Sequence, residues 1–143
     1  METLCSAGGS TTAASTLTML GTCVIPADTL KAGDRVEIHF DYAHTGALSG
    51  FTFRVQWGAS TILNRSAAAT DAFVTGRAEA GLGASSAQLS GQSWGTSLAL
   101  GATVGASTEP LDLPLTISFS GNVDQPLGDA LMLTNFTVMR YFR

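Results

Sequence analysis

The sequence predicts an all-β protein: an antiparallel, jelly-roll-like β-sandwich of about eight to ten strands. Three observations carry that expectation. The run from Arg35 to Tyr42 alternates cleanly, with Val36, Ile38, Phe40 and Tyr42 on one side and Arg35, Glu37, His39 and Asp41 on the other. The run from Phe51 to Trp57 alternates again, with Phe51, Phe53, Val55 and Trp57 opposed to Thr52, Arg54 and Gln56. Strict period-two alternation marks strands with one wet face. Elsewhere, short apolar runs recur between Gly, Pro and Asp turns, and no stretch sustains a period of 3.6.

Residues 1–15 are rich in Ser, Thr, Ala and Gly without apolar period, and read as a flexible arm. Residues 16–143 read as a single β-sandwich domain. Thr16 to Val24 forms a first strand, which Pro26 ends because it has no N–H to donate. Asp28 to Asp34 is a turn, with Gly33 free to take a positive φ. The strand from Arg35 to His44 follows, then a loop from Thr45 to Gly50.

Phe51 to Trp57 is expected to return on that strand as a hairpin, with Tyr42 opposite Phe51 or displaced by two residues. A slip by one would bury Arg54 and is excluded. Either register sets Arg54 against His39 or Asp41, a cross-strand ion pair worth about 0.2–1 kcal/mol. After a turn at Gly58-Ala59, Ser60 to Arg65 forms a short strand and 67–72 a loop. Phe73 to Leu82 alternates weakly and fits a strand or a short helix. Ser86–Trp94 and Thr96–Val104 read as strands, and Ala102 to Ser107 as flexible connection. Leu113 to Gly121 is a strong strand with Leu115, Ile117 and Phe119 inward. Ala130 to Phe142 is the last and longest, which suggests a central position.

Composition bounds the function. The chain has 143 residues and a formal net charge of −4, with 13% charged residues against about 25% in ordinary domains. A weakly charged, Ser/Thr/Gly-rich surface suits extracellular, virion or cell-surface modules. The seven Lys and Arg are scattered, which argues against nucleic-acid binding. No apolar run reaches the roughly 18 residues of a membrane helix, so no membrane insertion is expected. The first residues lack the pattern of a secretory signal. Cys5 and Cys23 are the only cysteines. They are either a disulfide, contributing about 3 kcal/mol by loop closure, or two reduced thiols with Cys23 packed as a small apolar residue.

Several motifs invite chemistry. Gly91 to Gly95 (GQSWG) matches a nucleophile elbow, yet both histidines, His39 and His44, lie upstream of Ser93. A Gly-flanked turn or bulge is the expected reading. Glu37, His39 and Asp41 share one strand face and could hold a metal, but the expected neighbour Arg54 argues for salt bridges instead. No metal, cofactor or catalytic residue is assigned, and the chain is read as non-enzymatic. Two N-glycosylation sequons, at Asn64 and Asn135, are set aside as chance matches. Trp94 sits in a polar, Gly-rich context beside Gln92 and is the best candidate for an exposed aromatic platform. With Tyr42 it forms the candidate ligand-binding set, while Trp57 falls in an inward register.

The order of pieces resembles the β-sandwich modules of phage tail fibres, tail spikes and related virion proteins. The resemblance rests on Ile25, Pro26, Ala27, Leu30, Lys31, Gly33 and Asp34 at the entry, Gly58 in the central turn, and Asp129, Leu131 and Leu133 in the closing strand. It covers residues 16–142. It implies a jelly-roll-like sandwich that assembles as a homotrimer, meets other virion or tail proteins, and contacts a host surface through exposed loops. The competing expectation is a free carbohydrate-binding module that takes a surface glycan through Trp94.

Overall fold

The computed structural model describes residues 1–143. It contains eleven strands and no helix: β1 (Glu2–Ala7), β2 (Thr11–Thr12), β3 (Thr18–Ile25), β4 (Arg35–Thr45), β5 (Phe51–Trp57), β6 (Ser60–Ala67), β7 (Phe73–Leu82), β8 (Ala87–Gly95), β9 (Gly101–Ser107), β10 (Leu115–Val123) and β11 (Ala130–Tyr141). One sheet has the order β1-β11-β4-β7-β8-β9, with β2 also paired to β11; the other has the order β3-β10-β5-β6. All pairings are antiparallel. Strands from opposite halves of the chain pair in both sheets, β4 with β11 and β5 with β10, which gives the jelly-roll-like winding.

The inner faces supply one continuous core of 29 buried apolar residues. Phe40 and Tyr42 from β4 meet Phe53 from β5 and Phe119 from β10 with centroid separations of 5.4–6.5 Å. Trp57 is fully buried. Gly76 is required by close approach, since a Cβ there would collide with the Phe40 ring and the Gln92 carbonyl. Phe73–Leu82 is a strand rather than a helix, because every second residue from Val74 to Leu82 packs inward. The last strand is flanked on both sides, by β1 and β4, one place from the edge of its sheet and not at its centre.

Five expectations are corrected. The aromatic strands β4 and β5 do not form a hairpin; they lie in opposite sheets. Their inner faces still meet, because alternation specifies which face is buried and not which strand lies alongside. The 46–50 connection therefore arches across the core. Gly46 there has φ +94°, and the buried Asp129 carboxylate accepts the Leu48 and Ser49 amides. His44 stacks on Phe51 at 4.7 Å, with its Nε2 3.2 Å from Asp129.

The expected ion pair of Arg54 with His39 or Asp41 consequently fails, since Arg54 faces outward from the other sheet, beside Ser120 and Asn64. Residues 1–15 are not a loose arm: β1 pairs along β11 from Glu2↔Arg140 to Ala7↔Phe136, and β2 pairs further along it. A disulfide joins Cys5 on β1 to Cys23 on β3, so it ties one sheet to the other. Backbone pairing and this bond hold a segment whose side chains carry almost no apolar signal. Finally, Ala102 to Ser107 is not a flexible connection but most of the edge strand β9, and Gly91 to Gly95 is the end of β8 rather than a turn.

Candidate functional site

The outer face of the larger sheet divides into two ends. Its registers place side chains in rows across the strands. At one end the rows run Met132–Ala43–Phe73 and Asn135–Asp41–Thr75–Trp94. Two rows further along they run Met139–Glu37–Glu79–Ser90. Each row follows from the period of two: Asp41 and Ala43 point outward because Phe40, Tyr42 and His44 point in.

The first end holds a shallow cleft of about 450 Å³. Phe73 and Trp94 stand at its walls, 68% and 41% exposed, with Met132 across from them. Ala43 and Thr75 keep the floor low, and Asp41, Thr96 and Thr134 bring polar atoms to it. The Thr75 hydroxyl donates to Asp41 Oδ1 at 2.7 Å, leaving the second carboxylate oxygen free as an acceptor. Most of the exposed lining is apolar, with a few convergent polar groups, as small-ligand sites usually are.

A second, more open cleft of about 500 Å³ lies on the other side of Trp94, against Gln92, Leu98 and Leu100. Trp94 is therefore a ridge shared by both.

The loop after β8 fixes that ridge. Gly95 N–H donates to Leu98 O at 2.9 Å, and Thr96 N–H donates to Phe73 O at 3.0 Å. Asp71, 2% exposed, accepts the amides of Ser97 (2.7 Å) and Leu98 (2.9 Å). Burial opposes charge on this carboxyl, but the amides outweigh it and hold Asp71 below the usual carboxylate range. Beneath the loop, Arg65 Nη1 donates to the Ser93 and Ala99 carbonyls and to Ser93 Oγ. Ser93 is 1% exposed and faces the core, so the GQSWG motif holds a structural serine.

The other end of the face is charged and internally paired. Glu37 Oε1 lies 2.6 Å from His39 Nε2 and 3.6 Å from Arg77 Nε, and Arg35 reaches Glu79 at 3.1 Å. Glu37 and His39 thus engage each other while Asp41 engages Thr75, so the three do not converge on one point. Across the chain no group of three or more His, Cys, Asp or Glu gathers as a metal site.

Of the candidate ligand-binding residues, the structure brings Trp94 and Gln92 together at the second cleft. Tyr42 borders the first cleft with Trp94, but its ring turns into the core. It is 1% exposed, and its hydroxyl donates to the Ser120 carbonyl at 3.0 Å inside the core. Burial pushes its phenol well above the usual range. Its even-numbered position on β4 puts it in phase with Phe40, which is the physical reason for the correction.

Sequence reasoning missed Phe73, Thr75, Met132 and Thr134, because they come from strands whose order the alternation does not reveal. One signal was there: Phe73 is out of phase with the inward set Val74, Ala78, Ala80 and Leu82, so a large ring had to face outward.

No family model matches the chain. No curated protein matches it either. Among solved structures it is similar to the insecticidal delta-endotoxin Cry8Ea1 from Bacillus thuringiensis, with 10% identity over 94% of this chain and a TM-score of 0.50. This chain spans 20% of that toxin chain. It is also similar to lectin I-B4 from Griffonia simplicifolia in its metal-free form, at 7% identity, covering 90% of this chain and 78% of that one, with a TM-score of 0.47. A third similar structure is the CBM2 module of the evolved Dit of Lactobacillus casei BL23 phage J-1, at 13% identity, 85% and 69% coverage, and a TM-score of 0.42. At these identities the likeness is one of fold alone, a jelly-roll-like sandwich of two antiparallel sheets.

Proposed function

We propose that this protein is a non-enzymatic carbohydrate-binding module whose ligand lies on the outer face of the larger sheet, against Trp94 and Phe73. The single observation that carries this reading is the cleft where two exposed aromatic rings flank a free carboxylate oxygen and several hydroxyls. A sugar ring has an apolar C–H face and a hydroxyl rim. The rings match the first and Asp41, Thr96 and Thr134 match the second. The face is also built to stay fixed, because Asp71 and Thr96 hold the loop that follows Trp94.

The test is a glycan array followed by titration calorimetry on any hit. Trp94→Ala is expected to weaken binding by at least about tenfold, without loss of the fold by circular dichroism. An array without hits, or unchanged affinity in Trp94→Ala, would overturn the reading.

A second reading is supported by the edge strand β9. It leaves the sheet unpaired on one side, exposes Val104 at 82%, and lies in a stretch without charge from Thr96 to Thr108. Uncharged, exposed edges pair readily with other chains. This suits the structural role of a virion or phage-tail module that self-associates as a homotrimer, meets other tail proteins and contacts a host surface. Light scattering tests it: oligomers at micromolar concentration that dissociate in Val104→Lys support it, and a monomer throughout rules it out. An extracellular or virion location fits both readings, since the Cys5–Cys23 disulfide persists in oxidising surroundings.

A further inference from the structure

We infer that the ligand is an extended, uncharged oligosaccharide that straddles Trp94, with one sugar unit in the Asp41 cleft and the next against Leu100 and Gln92. The inference rests on the carbohydrate-binding reading and adds to it a ligand class and a second subsite.

Three observations lead to it. Trp94 is a wall of both clefts, so the two are adjoining halves of one trough and not separate sites. The trough crosses the strands in the order β11, β4, β7, β8, and reaches Leu100 at the threshold of β9. Four interstrand spacings amount to about 19 Å, longer than a single sugar ring. Leu100, 65% exposed, and the partly buried Leu98 give the far half an apolar bed, while Gln92 gives it both a donor and an acceptor. A chain of sugars meets both needs, because each ring repeats the same pairing of apolar face and hydroxyl rim.

The charge pattern selects among such chains. Asp41 is the only charged residue lining either cleft, and no cation lines them. The nearest cation in the register is Arg77, one row away opposite Gln92 and turned to Glu37, while Arg65, which reaches the Ala99 carbonyl next to Leu100, is engaged by the Ser93 and Ala99 carbonyls. A uronic-acid, sialic-acid or sulfated unit would meet a carboxylate with nothing to neutralise it, on a protein whose net charge is −4. Hydroxyl groups of a neutral sugar instead donate to the free oxygen of Asp41. Each half of the trough is shallow, so one unit covers little of Trp94. Filling both halves removes water from both sides of the indole, and affinity therefore grows with chain length.

The experiment is titration of wild type, Trp94→Ala, Leu100→Ala and Asp41→Asn with length series from mono- to hexasaccharide. Neutral glucan, galactan and mannan series are run beside an oligogalacturonate series. Affinity for the preferred neutral series is expected to rise by about tenfold or more between mono- and trisaccharide and then level off. Leu100→Ala removes most of that rise, weakening trisaccharide binding several-fold more than monosaccharide binding. Oligogalacturonates bind at least about tenfold more weakly than the matching neutral chains, and Asp41→Asn narrows that gap. If affinity is the same at every length, or if Leu100→Ala weakens all lengths equally, the straddling geometry is wrong while the carbohydrate reading stands. If acidic chains bind as well as neutral ones, the charge argument fails. If no series binds, or Trp94→Ala changes nothing, the carbohydrate reading itself fails.

Discussion

The two ends of one outer face differ in what they leave unsatisfied. Around Glu37 the charges answer one another: His39 and Arg77 approach Glu37, and Arg35 approaches Glu79. Around Trp94 the groups face outward: two aromatic rings are exposed, and one oxygen of Asp41 has no partner within the site. Both ends are built on the same strands with the same alternation. Charge and aromatic content alone therefore do not mark a site; what marks it is binding capacity left over after the protein has satisfied itself. The charged end resembles an ordinary solvated sheet surface, where such pairs contribute little.

That contrast can be tested by perturbing stability and binding separately. The largest expected effect on stability is removal of the disulfide, which touches neither end. Replacing Cys5 and Cys23 together with Ala should lower unfolding free energy by about 3 kcal/mol, read by denaturant titration. Ligand affinity of the folded fraction should stay the same.

Asp71→Asn comes next, at about 2 kcal/mol. It strikes the aromatic end from below, so the loop from Thr96 to Leu98 loosens and glycan affinity falls with stability.

Acid provides the same perturbation reversibly. Asp71 is held below the usual carboxylate range in the folded protein, so its stabilisation is fully present above that range. It is lost as pH falls from about 4 through the depressed folded value. Asp34 behaves alike: burial opposes its charge, but the Lys31 amide, Arg140 and the Arg143 amide keep it ionised. Thermal midpoints measured downward from pH 7 should decline below about pH 4, and decline less in Asp71→Asn than in wild type.

The smallest effect should come from the charged end. Arg77→Ala is expected to cost less than about 1 kcal/mol and to leave glycan affinity within a factor of about two. A large loss of binding in Arg77→Ala would erase the distinction between the two ends.

Much of the fold was legible in residues of strong contrast. Val36–Tyr42, Phe51–Trp57 and Leu115–Phe119 announce themselves by alternation and are strands with the expected faces inward, and the long closing strand is found by its length. Strand neighbours were not legible. Phe40 and Phe53 would share a core whether β4 and β5 formed a hairpin or an arch, so the pattern could not choose between them. Residues 2–7 and 105–107 were missed, and the strand expected over Thr96–Val104 begins only at Gly101, for a related reason: small side chains pair through the backbone without leaving a hydrophobic signature.

Trp94 and Gln92 could be found because a tryptophan among glycines and polar residues is conspicuous. Ala43, Thr75 and Met132 could not be found, since they matter only through being adjacent across three strands. Nor could the stapling roles of Asp71 and Asp129 be read, because each serves a loop more than twenty residues away in the chain.

The pairing of Glu2 with Arg140 has a consequence for presentation. Both ends of the chain lie beside the charged end of the face, while Met132, eight residues back along β11, lies at the aromatic end, about 26 Å away. A linker or neighbouring domain joined at Met1 or at Arg143 would leave from the same pole. Fused or anchored in either direction, the module would hold its trough outward, like an open palm at the end of a wrist. A fluorescent or surface tether at either terminus should therefore leave the trough unobstructed.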